Sequence, residues 1–143
     1  MTYGSMGRAT AMYKGTSALG AVEGADPHQL TAMLYDGVIQ RLNRAKSAIQ
    51  HKDVPAKGEA LSKAQAIISE LRLTLDHKAG GKLSTRLEAL YEYCGRRLLE
   101  AQIKDDIAIV DQVIGLLTPL RDAWAQIRPN YLAGQQKAAV GAR

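Results

Sequence analysis

Asp26-Pro27-His28-Gln29-Leu30-Thr31-Ala32-Met33-Leu34-Tyr35-Asp36-Gly37 is a helix start that runs directly into an apolar stripe. Asp26 can cap the first free backbone amides, and Pro27 suits the first helical position, where no amide donor is required. Gln29 stands three residues after the cap, as in a capping box. Leu30, Met33, Leu34, Val38, Leu42 and Ile49 then recur at helical spacing. The stretch therefore reads as a buried amphipathic helix, extending over about 27–51.

Working outward, three more helices fit with short connections. The second begins near Asp53-Val54-Pro55, carries Leu61, Ala64, Ile68, Leu71 and Leu75, and is expected to stop before Gly80-Gly81. The third, about 82–103, aligns Leu87, Leu90, Tyr91, Cys94, Leu98 and Ala101. The fourth starts at Asp105 or Asp106 and aligns Val110, Val113, Leu117, Leu120, Trp124 and Ile127. Pro119 predicts a kink or break inside it, and Pro129 its end. Helices of roughly 22 residues are about 33 Å long, and short loops make neighbours antiparallel. The expected fold is all-α, an antiparallel up-down four-helix bundle over 26–128. Residues 1–25, with five glycines among Tyr3, Met6, Met12, Tyr13 and Leu19, read as a mobile N-terminal arm able to dock. Residues 129–143 read as a disordered C-terminal tail.

Composition bounds the function. At 143 residues one domain is expected, with no Phe and few aromatics, which favours helices. The single Cys94 excludes an internal disulfide framework and fits a reducing compartment. No stretch approaches the roughly 20 apolar residues that span a bilayer, and the N-terminus lacks the apolar core of a signal peptide. A cytoplasmic location without membrane insertion is expected. The net charge of +5 is dispersed over helices rather than gathered in one arm, and a solvated helix face accounts for it without nucleic acid.

Catalytic chemistry finds no support. A di-metal bundle site would need Glu-x-x-His pairs, and none of His28, His51 and His77 has Glu three positions earlier. Each lies near a predicted helix end, where capping or solvent explains it. Gly80-Gly81-Lys82 resembles the end of a phosphate loop, but Leu83 stands where Ser or Thr is needed and helix precedes it. No nucleophile–base signature is present. No enzyme activity, metal or cofactor is expected. Further apolar residues lie about 100° from the main stripes: Ile67 on the second helix, Leu99 and Ile103 on the third, Ile109 and Leu116 on the fourth. They fit either a wide core face or an exposed groove for a partner's amphipathic segments. Gly37, Gly58, Gly95 and Gly115 each cost about 1 kcal/mol relative to Ala in a helix, which close helix approach or a partner's backbone could offset.

Motifs in a fixed order carry a resemblance. Tyr13 precedes the Asp26-Pro27-His28-Gln29-Leu30 start; Met33-Leu34-Tyr35-Asp36-Gly37 and Ala56-Lys57-Gly58-Glu59-Ala60-Leu61-Ser62-Lys63-Ala64 follow. Then come Gly80-Gly81, Leu90-Tyr91-Glu92-Tyr93, Arg96-Arg97-Leu98-Leu99-Glu100-Ala101 and Ala123-Trp124. Over roughly residues 13–127 the chain resembles the FliS family of flagellar secretion chaperones. Asp26 stands where that family usually has Ser, an equivalent cap; Gly95 replaces a commonly bulkier residue, and Pro119 is unusual.

The resemblance implies a four-helix bundle that binds the C-terminal segment of flagellin in the cytoplasm. It further implies prevention of premature polymerisation and help in delivery to a component of the flagellar export gate. It favours the groove reading of Ile67, Leu99, Ile103, Ile109 and Leu116, and makes Tyr13 a plug or contact contributed by the arm, with Tyr3 weaker. An exposed groove is also compatible with a weak homodimer. Two other classes compete on the residues alone, a basic nucleic-acid adaptor and a metal or redox bundle enzyme.

Overall fold

A computed structural model of the chain describes residues 24–141. Its helices are α1 (Pro27–Gln50), α2 (Val54–Leu73), α3 (His77–Lys104), α4 (Ile107–Gln126) and α5 (Arg128–Gly141). The first four form the expected antiparallel bundle, with α1 against α2 and α4, and α3 against α2 and α4. Each of these four begins at an aspartate whose carboxylate accepts free backbone amides. Asp26 takes Gln29 N–H at 2.7 Å, Asp53 takes Ala56 at 3.1 Å, and Asp106 takes Ala108 at 2.9 Å. Asp76 takes Lys78 at 3.0 Å and Ala79 at 3.1 Å. Such a cap is worth about 1 kcal/mol, and each negative charge also meets the positive end of a helix dipole.

The core draws on the stripes read from the sequence and adds Tyr35, Ile39, Ile67 and Ile109, while Ile127, at the end of the fourth stripe, is exposed. Leu34, Val38, Leu42, Leu61, Leu71, Leu98, Val110, Val113 and Leu117 are fully buried, at about 1.5–3 kcal/mol per large side chain. Tyr35 and Tyr91 share a buried hydrogen bond across the core. Burial pushes both phenols above their ordinary range, so the pair stays neutral. Cys94 is fully buried, and desolvation pushes its thiol up to about 11.

Three expectations need correction. Gly80-Gly81 does not terminate the second helix, because α2 has already ended at Leu73. The pair lies within α3, where Gly81 adopts φ 51° and ψ −124° and the helix kinks. Pro119 does not break α4. Gly115, whose carbonyl would have accepted its missing N–H, is exposed, as is Pro119, so water can satisfy that oxygen. α4 does end just before Pro129, at Gln126, and Pro129 itself stands in the first turn of α5, where proline needs no donor. The expected disordered tail is helical through Gly141.

Candidate docking surface

α3 is the longest helix, with 28 residues, yet few of its apolar side chains are buried: Tyr91, Cys94, Leu98 and Ala101. Its contacts fix its two flanks. Toward α2, Gln65 Nε2 donates to the Gly95 carbonyl at 2.7 Å, and Lys57 Nζ donates to the Gln102 carbonyl at 3.2 Å. Toward α4, Arg97 Nε donates to Gln112 Oε1 at 2.8 Å, and Gln112 Nε2 donates to Tyr93 Oη at 3.1 Å. Antiparallel helices advance equally and oppositely. Below these bonds Leu90 therefore comes level with Leu116, Leu87 with Leu120, and Leu83 with Trp124.

All of these except Leu83 are half-buried side chains resting on the core, while Leu83 is 64% exposed. The result is a shallow leucine-lined seam between α3 and α4. It opens at the bundle end into a cleft of about 340 Å³ bounded by Tyr35, Leu75, Leu87, Tyr91 and Trp124, with Asp76, Gly80 and Ser84 on its near wall. Half-exposed aliphatic and aromatic side chains on a rigid frame suit the apolar face of a partner segment.

The residues singled out from the sequence do not form one groove. Ile67 (3% exposed) and Ile109 (5% exposed) belong to the core. A helix with neighbours on both flanks buries more than a narrow stripe, and here the wide-face reading holds for these two. Leu99 (56%) and Ile103 (76%) are exposed, near the α2 flank of α3. Leu116 is half-buried, on the α4 side of the seam. Tyr13 and Tyr3 lie outside the described residues. The seam residues Leu83, Leu87, Leu90 and Leu120 escaped the sequence reading as surface, because periodicity places a side chain on a face without saying how closely the neighbour approaches.

A polar clasp ties the lower end of α4 to the start of α1. The ring of His28 is buried and stacks on Trp124 at 4.6 Å and 11°. Its Nε2–H donates to the Trp124 carbonyl at 2.9 Å, and Trp124 Nε1–H donates to the His28 carbonyl at 2.8 Å. Arg128 donates to His28 Nδ1 at 3.1 Å, so that both ring nitrogens are engaged. The same guanidinium grips both oxygens of Asp26, at 3.2 and 2.8 Å. These bonds hold the Asp26 carboxyl down at about 2, Arg128 contributing most and the Gln29 amide next. His28 thus lies near a helix end, as expected, but is enclosed rather than solvated.

Among the described residues no group of three or more His, Cys, Asp or Glu is placed to hold a metal ion, and no helix is long and apolar enough to cross a membrane. What the fold and seam define is an all-helical bundle protein with a row of apolar side chains left half-exposed. The family profile described as Flagellar protein FliS matches residues 9–131. The flagellar secretion chaperone FliS of Salmonella typhimurium is 46% identical over 119 residues, 82% of this chain and 88% of that protein. Its namesakes in Vibrio cholerae (37% identical, 83% and 88% covered) and Bacillus subtilis (42% identical, 74% and 78% covered) are similar too. The chain belongs to the FliS family of flagellar secretion chaperones, a family of binding proteins and not of enzymes.

Proposed function

We propose that this chain acts in the cytoplasm, holding the C-terminal segment of a flagellin until export, with the α3–α4 seam as the principal docking surface. The seam of half-buried leucines is the observation that carries this reading. Leu116, Leu87 and Leu90 form its middle and Leu83 its rim, while Leu99 and Ile103 on the far flank of α3 serve a segment that wraps round the helix. Tyr13, in the arm of residues 1–25, competes for the same apolar surface. Capture keeps the segment from polymerising early and presents it to a component of the export gate. A segment that orders on binding must offset its lost entropy with buried apolar area, so a negative heat-capacity change and weak salt dependence are expected.

The test is calorimetric titration of the chain, with and without residues 1–25, with a peptide of the cognate flagellin C-terminus. Tighter binding to the shortened chain supports competition by the arm. Steep weakening by salt with little heat-capacity change would overturn the apolar clamp in favour of a charge-driven partner such as nucleic acid. Sedimentation of the free and peptide-bound chain tests whether a homodimer uses the same seam, in which case the peptide dissociates it.

A further inference from the structure

We infer that the turn Asp76–Gly81 is a hinged flap that walls one side of the cleft at the end of the seam, and that the cleft, widened when the flap swings away, takes one bulky apolar side chain of a partner segment. In a straight helix Asp76 and Ser84 would be separated by about 12 Å, and His77 and Glu88 by about 16 Å, at 1.5 Å per residue. Instead Ser84 Oγ donates to the Asp76 carbonyl at 3.0 Å, and His77 Nε2 lies 3.3 Å from Glu88 Oε2. The first turn of α3 is therefore doubled back on the rest of the helix, pivoting at Gly81 (φ 51°, ψ −124°), a conformation that residues with a Cβ avoid. Gly80 makes the fold-back fit, since a Cβ there would come within 1.8 Å of Ser84 Oγ.

Little holds the turn down. Asp76, His77, Lys78, Ala79, Gly81 and Lys82 are all exposed, and the apolar anchor next to the turn is Leu75, half-buried just before it. Its ties to the rest of α3 are the Ser84 hydroxyl, the Thr85 hydroxyl, which donates to the Gly81 carbonyl at 3.3 Å, and the half-buried Glu88, which also meets Arg72 at 3.4 Å. Beside it lies the apolar floor of Tyr35, Leu87, Tyr91 and Trp124, in a volume of about 340 Å³ that is continuous with the seam through Leu87 and Trp124. Rotating Gly81 into helical geometry would prolong α3 backward, carry Asp76–Gly80 away from the cleft and widen it. The closed and straightened forms are two discrete arrangements of one segment, and a side chain that fills the cleft selects the second. The occupant's identity rests on the docking reading above, whereas the hinge does not.

Trp124 is the single tryptophan and lines the cleft, so it reports on both. The experiment is acrylamide quenching of Trp124, with anilinonaphthalene sulfonate as apolar probe, in the full chain and in Gly81→Ala. Alanine disfavours the pivot, so the open-to-closed ratio should rise about 5- to 30-fold, seen as stronger quenching and brighter probe emission with helicity kept or increased. Unchanged quenching and probe emission in a helical Gly81→Ala would overturn the hinge. Should that variant fold poorly, Glu88→Gln decides by the same two readouts: a rise of up to about five-fold supports the flap, and no change overturns it. The flagellin peptide then tests the occupant. Binding by calorimetry with a shift in Trp124 emission supports it, and binding without any shift overturns the occupant alone. No binding at all removes the docking reading and the occupant with it, leaving the hinge to the quenching result.

Discussion

The α1–α2 half and the α3–α4 half of this bundle spend their apolar residues differently. α1 and α2 pack most closely of any pair and sink Leu30, Leu34, Val38, Ile39, Leu42, Leu61, Ile67, Ile68 and Leu71 into the core. α3 and α4 hold Leu83, Leu87, Leu90, Leu116, Leu120 and Trp124 partly in water. One half is a platform and the other a surface. Apolar content alone does not distinguish them; the closeness of the neighbouring helix does.

Substitutions should divide along that line. The largest effect belongs to the platform: Leu34→Ala or Leu61→Ala should cost about 2–5 kcal/mol in urea unfolding, with peptide capture failing only as the fold does. Leu83→Glu, on the seam's rim, should leave stability within about 0.5 kcal/mol while weakening capture about ten-fold or more, measured by calorimetry. If Leu83→Glu captured normally while Leu99→Glu did not, the surface would lie on the α2 flank and the comparison would have to be redrawn.

The clasp gives a smaller effect with a pH signature. Asp26 is held down at about 2 from a usual 3.8, so its interactions favour the folded state above pH 4 and are lost as pH falls from there toward 2. Arg128→Ala should therefore lower stability at neutral pH, and the gap from the parent chain should narrow as the solution is acidified through that window. A gap independent of pH would mean that Arg128 acts through packing alone. The smallest expected change is a gain. Gly58 and Gly115 have nothing within 4 Å of where a Cβ would stand, so Gly58→Ala and Gly115→Ala should each raise stability by about 0.5–1 kcal/mol by thermal unfolding. Gly95 differs, because a Cβ there meets Gln65 Oε1 at 3.1 Å.

The helix starts at Asp26, Asp53 and Asp106 were legible because a capping side chain acts within three residues, inside the reach of local pattern. The core stripes were legible for the same reason. The fold-back at Gly80-Gly81 was not, since a glycine that ends a helix and one that reverses a turn within it look alike in sequence. Pro129 both follows the end of α4 and stands in the first turn of α5, and the second role has no local signal, since the clasp that fixes Arg128 reaches Asp26 and His28, about a hundred positions away. Ile67 and Ile109 stand about 100° from the main stripes, an angle that in this bundle still faces the core. Leu99 and Leu116 fit one groove by helical angle, yet opposite flanks of α3 separate them.

Cys94 has a practical consequence. A sulfhydryl with no solvent access, its ionisation deferred to about 11, has almost no thiolate at neutral pH and no path for an alkylating reagent. A single cysteine engineered at Leu83 or Leu132, both well exposed, would then be the one site that a maleimide dye can reach. The native chain thus supplies its own silent background for distance measurements between seam and final helix, without first having to be stripped of sulfur.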